Sequence, residues 1–241
     1  MPERAHPENL SDADYPFREP LVESEVGGRD RNWIQEFENN PRFVVRINEV
    51  RDHESAVEIR AAFDELKQYG IRVPVRFVEA QAGATRRLYS VVDKITGSSP
   101  AAAQFEVGEK SMAREKFKRY FAGLFQYHFE KFKNKKPYLC DLTRASQFVY
   151  GTRPQTAEKD IYLVDIDYII SDDRFTMFGP KGLPKQISLM KLIEDKLDQP
   201  FLTARKILAD FYTFAVDATA TDPPDSSQKK SLTRFATAIK T

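Results

Sequence analysis

Residues 110–136 read KSMAREKFKRYFAGLFQYHFEKFKNKK, and the placement of every other element depends on how this stretch folds. Phe117, Phe121, Leu124, His128 and Phe132 recur at three- and four-residue spacing, so a helix gathers them on one side. Ser111 is the expected N-cap of a helix over Met112–Phe132, and Pro137 follows its end. The same stretch carries nine basic and two acidic residues, a net of +7. Two readings stay open. One is an amphipathic helix with a solvated lysine face. The other is a polyanion-binding segment, where positive charge follows phosphates and aromatic rings stack on bases.

Upstream, Phe43, Val45 and Ile47 alternate with Arg42, Val44 and Arg46, the period of a strand with one buried face. Residues 54–69 have a helical apolar stripe that includes Val57, Ile59, Ala62, Phe63 and Leu66, and Gly70 supplies a stop. Ile71, Val73, Val75 and Phe77 alternate again. Pro74 cannot donate to a ladder, so this strand is expected at an edge or at a bulge. Strands are read at 87–92 and 104–107, with a turn over Gly97–Pro100. Trp33, Ile34 and Phe37 fit one short helical turn.

Downstream, strands are read at 148–150 and 161–170, with residues 174–178 returning as a hairpin. Helices follow at 187–197 and 201–216, divided by Gln199-Pro200. The class implied is α+β, mostly antiparallel sheet braced by long helices, with disordered termini. Three parts are expected: an acidic extended arm over 1–40, one α/β body over 41–217, and a flexible tail over 218–241. From Met1 to Pro41 ten acidic and four basic residues give a net of −6.

Composition narrows the functional classes. With 41% hydrophobic and 12% aromatic residues in 241, the chain can bury a sizeable core. A net charge of +1 gives no global attraction to polyanions or membranes. The single cysteine, Cys140, excludes an internal disulfide and a cysteine-based zinc site. No signal-peptide core or membrane span is read, so the expected location is cytoplasmic, the host cytoplasm if the protein is viral. The three histidines lack metal-ligand spacing, and no Gly-x-Ser-x-Gly or phosphate-cradling loop is present. No cofactor is expected.

The order of strands, long helix, strands and helices over Arg42–Asp217 is similar to that of Whirly-type domains, including the phage RNA-binding type. The resemblance rests on layout, without a motif to transfer. It implies antiparallel sheets that bind single-stranded nucleic acid.

The residues themselves suggest two places for such binding. With the apolar faces of the early strands buried, the opposite faces would present Arg42, Arg46, Arg72 and Arg76, with Arg86 and Arg87 opening the next strand. A guanidinium pairs with phosphate in a planar fork and stacks on bases. The second place is the lysine-rich helix end at Lys131, Lys133, Lys135 and Lys136. Non-catalytic binding of single-stranded RNA or DNA, RNA favoured, is therefore the leading expectation. One alternative is a Mg²⁺-dependent nucleotidyl- or phosphoryl-transfer enzyme built on Asp165 and Asp167, which share one strand face. Another is an assembly or virion protein. In the tail, Leu232, Phe235 and Ile239 with Lys229, Lys230 and Arg234 form a short basic amphipathic segment suited to a protein partner or a second copy.

Overall fold

The computed structural model describes residues 21–23, 32–37, 40–49, 56–81, 87–139, 142, 144–154, 156–164, 170–179 and 182–240. The chain is α+β and divides into two compact units, residues 1–56 with 75–94, and residues 57–74 with 95–241. These boundaries differ from the expected arm, single body and tail. Among the described residues, no helix is long and apolar enough to cross a membrane.

The first unit holds a five-stranded sheet of β1 (Leu21–Glu23), β2 (Asn32–Phe37), β3 (Asn40–Glu49), β4 (Val75–Gln81) and β5 (Arg87–Asp93), in the order β1-β2-β3-β5-β4. Every pairing is antiparallel. Two earlier expectations are corrected here. Residues of the acidic arm join the sheet as β1 and β2, and Trp33, Ile34 and Phe37 lie in strand β2 rather than in a helical turn. The antiparallel ladder of β2 with β3, in which Trp33 is in register with Ile47, overrides a local helical spacing. The strand expected over Ile71–Phe77 forms only from Val75, after Pro74; the resulting β4 is an edge strand with a register shift between Val75 and Phe77.

In the second unit, α1 (Ala56–Gln68, in this unit from Val57) precedes a three-stranded sheet, β6 (Thr96–Ser98), β8 (Phe148–Thr152) and β9 (Lys159–Leu163), ordered β6-β8-β9. A second antiparallel pair joins β7 (Tyr138–Leu139) to β10 (Ile170–Ser171). Four helices complete the unit: α2 (Lys110–Lys133), α3 (Leu183–Leu197), α4 (Leu202–Ala218) and α5 (Ser227–Lys240). The expected strand at 104–107 is absent, and a short strand instead occupies 96–98, overlapping the turn expected over Gly97–Pro100. The expected strand over 161–170 is described only at its ends, in β9 and β10. Thr176–Phe178 is a 3-10 turn in place of a hairpin strand.

Helix α2 runs through the middle of the second unit's core. Phe117, Phe121, Leu124, Phe125, His128 and Phe132 are all buried. Rings from other elements meet them: Tyr150 at 5.3 Å from Phe117, Phe201 at 5.8 Å from Phe121, and Phe211 at 5.4 Å from Phe132. The helix starts two residues before the expected Met112, with Glu109 rather than Ser111 at its N-cap. Gly123 explains how α1 and α2 come together: a Cβ there would lie 1.8 Å from the Tyr69 carbonyl oxygen.

The expected flexible tail is corrected over Ser227–Lys240, which form α5. Leu232 and Phe235 are buried, and the Phe235 ring lies 4.9 Å from Phe178 and 5.5 Å from Phe211. Lys191 Nζ donates to the carbonyls of Ala238, at 2.6 Å, and Ile239. The apolar spacing read in this segment thus serves the chain's own core.

Candidate nucleic-acid interface

Asp160, in β9, organises a cationic cleft of the second unit. Its carboxylate is 4% exposed. Arg72 Nε donates to Oδ2 at 2.9 Å, while Arg119 Nη2 and the Ile161 amide donate to Oδ1 at 2.5 and 2.8 Å. Lys116 Nζ stands 3.9 Å away. A carboxylate this buried would be costly without such donors.

Local structure supplies each partner. α1 ends on Gly70 at φ 73°, with the Ile71 amide donating to the Leu66 carbonyl at 3.1 Å. This left-handed stop turns the chain into residues 71–74, which lie beside β9 through a parallel bridge of Arg72 with Tyr162. The Leu163 amide donates to the Arg72 carbonyl at 2.9 Å, fixing the backbone from which that guanidinium reaches Asp160. Arg119 arrives from α2 and passes over Gly70, where a Cβ would come 3.1 Å from Arg119 Cγ.

Lys67, Gly70, Ile71, Arg72, Val73, Arg119 and Arg153 line a cleft of about 390 Å³. The Arg153 guanidinium lies 5.4 Å from the centre of the Tyr162 ring. Lys67 pairs with Asp64 at 2.6 Å, both side chains more than half exposed, and Lys116 pairs with exposed Glu158. A hydrogen bond from Lys116 and its charge hold the Glu158 carboxyl below the ordinary range, whereas burial pushes the Tyr162 phenol up. Asp160 occupies one edge of the Arg72 guanidinium. Among the described residues the remaining Arg72 donors have no acceptor, and Arg119 Nε is buried without one. The cleft therefore presents oriented, under-used guanidinium donors, the chemistry that recognises phosphate.

The arginines that alternation grouped fall in different units. Arg72 belongs to the second unit, whereas Arg42, Arg46, Arg76 and Arg87 belong to the sheet of the first. Arg42 is exposed, its guanidinium 5.1 Å from the Phe43 ring centre. Arg46 pairs with Ser90, Arg76 stands at the register shift in β4, and Arg87 is opposite Glu49 and Gln81. Arg86, Asp165, Asp167 and Cys140 lie outside the described residues. Among the described residues, no group of three histidines, cysteines or carboxylates could hold a metal ion.

The lysine cluster also divides. Lys131 pairs with Glu65 at 2.6 Å and lies over the Tyr127 ring, while Lys133, Lys135 and Lys136 are exposed at the end of α2. Along the long helix, four of the nine basic residues meet carboxylates distant in sequence: Asp198 for Lys110, Glu158 for Lys116, Asp160 for Arg119 and Glu65 for Lys131. The lysine face is therefore solvated in part, at Lys133, Lys135 and Lys136. Lys67, Arg119, Arg153 and Asp160 were not among the candidate residues read from sequence. The only local signal, Gly70 as a helix stop, locates the turn without revealing what gathers around it.

No protein-family model matches the chain, and no curated protein matches it.

Proposed function

We propose that the protein binds single-stranded RNA or DNA by its phosphates, without catalysis, through the cleft of Lys67, Arg72, Arg119 and Arg153. One observation carries this reading: cationic side chains from three segments far apart in sequence line one cleft, and two of them are held in place by the buried Asp160. Preorganised guanidinium groups lose little side-chain entropy when a phosphate binds. Arg153 is held over the ring of buried Tyr162. A cytoplasmic location and a Whirly-like layout belong to the same proposal.

The test is a fluorescence titration of labelled single-stranded RNA and DNA, with a duplex control, at two salt concentrations. Affinity for single strands is expected to fall steeply with salt. Replacing Arg72 and Arg119 by Gln is expected to lower the salt slope by about 0.7 for each lost phosphate contact. Absence of binding near physiological salt, or a folded double variant with unchanged affinity and slope, overturns the reading.

A further inference from the structure

Resting on that reading, we infer that Glu158 is a displaceable anion guarding the cleft: its carboxylate occupies Lys116 until a phosphate takes its place. Two carboxylates meet Lys116, and their surroundings give them different parts. Asp160 is 4% exposed and accepts from Arg72, Arg119 and the Ile161 amide, so it cannot leave without stranding two guanidinium groups. Glu158 is 61% exposed, and among the described residues its one hydrogen-bond partner is Lys116 Nζ. An ion pair this open to water is weak and exchanges readily with other anions.

Position ties that exchange to the cleft. Glu158 immediately precedes β9, two residues before Asp160, the spacing that sends both side chains to one side of an extended chain. Arg72 Nε and Lys116 Nζ approach the same oxygen of Asp160, at 2.9 and 3.9 Å, so the ammonium is a close neighbour of a guanidinium that lines the cleft. Glu158 feels these charges in turn. Lys116 first, by its hydrogen bond and its charge, and then Arg72 and Arg119 hold its carboxyl below the ordinary range. A phosphate among the same cations competes with it directly. When Glu158 yields, Lys116 becomes a further donor to the phosphate. A ligand too weakly charged to displace Glu158 meets its repulsion instead, so the carboxylate also sets a threshold for entry.

The experiment titrates one labelled single-stranded oligonucleotide, at two salt concentrations, against the full chain, Glu158→Gln, Lys116→Gln and the double variant. Glu158→Gln should bind about fivefold more tightly, the scale of one exposed ion pair that no longer has to be broken. Its salt slope should steepen by about 0.7, because no freed carboxylate takes up a cation to offset the counter-ions that the strand releases. Both gains should vanish when Lys116 is also Gln. A gain of the same size without Lys116 would make Glu158 a remote charge and overturn the inference, as would unchanged or weaker binding by Glu158→Gln. Glu158→Asp keeps the charge and shortens the reach to Lys116, which covers the case in which the Lys116 variants fail to fold. Tighter binding by Glu158→Asp supports the guard, and equal or weaker binding overturns it. If no strand binds, the proposed function falls, and the melting temperature with inorganic phosphate decides for Glu158. A rise larger in Glu158→Gln than in the natural chain supports the guard, and an equal rise or none overturns it.

Discussion

Two side chains show how single residues set the chain's tolerance of its surroundings. His128 is fully buried on α2, with its Nδ1 2.8 Å from the Leu124 carbonyl and its Nε2 without a partner among the described residues. Burial lowers its pKa from 6.5 to about 4. The unfolded chain therefore takes up this proton first as pH falls, so the histidine's contribution to stability rises with pH across that window. Between pH 7 and pH 4 the loss is expected to reach about 3 kcal/mol. Denaturant titrations of the natural chain and His128→Gln, at several pH values, isolate this contribution from carboxylates titrating in the same range. Parallel pH profiles would contradict it. Lys135 stands in the left-handed region at φ 53°, just beyond α2, where its amide bonds Phe132 and that of Lys136 bonds Lys131. Glycine fits this position without strain, so Lys135→Gly is expected to stabilise the fold by about 1 kcal/mol, read from the denaturation midpoint.

At the scale of elements, helix ends and helix docking dominate the second unit. α1 and α3 stop as α2 does, on left-handed residues at Gly70 and Asp198. Between α3 and α4, buried Glu194 accepts the Phe201 amide at 2.5 Å and both donors of the Nε–Nη2 edge of the Arg205 guanidinium, which raises the arginine's pKa. One carboxylate thus ties the end of one helix to the beginning of the next across Pro200. Glu194→Ala should cost about 2–3 kcal/mol, below the value for a fully buried pair because Arg205 is half exposed. An unchanged melting temperature would contradict this role. α5 depends on its apolar contacts. Phe235→Ala removes a ring packed against Phe178 and Phe211 and is expected to cost about 3–5 kcal/mol by chemical denaturation. A loss below 1 kcal/mol would mean that the helix contributes little to the core.

For the whole molecule, the arginines read from sequence fall in two units, and the pairs to compare are one from each. Arg42 and Arg46 stand on β3 of the first unit, whereas Arg72 shares Asp160 with Arg119 in the second. Neutralising Arg72 with Arg119 should therefore reduce single-strand affinity more than neutralising Arg42 with Arg46. Paired Gln variants, checked for folding by circular dichroism, make the comparison in one titration. The reverse ranking would move the interface to the sheet.

The sequence by itself determined what depends on near neighbours. Helical spacing marked α1, α2, α3 and α4, period-two alternation marked β3, and Gly70, Pro137 and Pro200 marked stops, because these signals act over a few residues. Even the apolar spacing of Leu232 and Phe235 was legible, although not what would cover it. Tertiary structure alone decided the rest. The alternation from Ile71 to Phe77 looked continuous, yet Arg72 bridges to Tyr162 while Val75 pairs with Val92. Asp160 meets Arg119 across 41 residues and Arg72 across 88. No local period encodes such partners, since the carboxylate's burial and the arrival of both arginines depend on how α2, β9 and the turn after α1 pack.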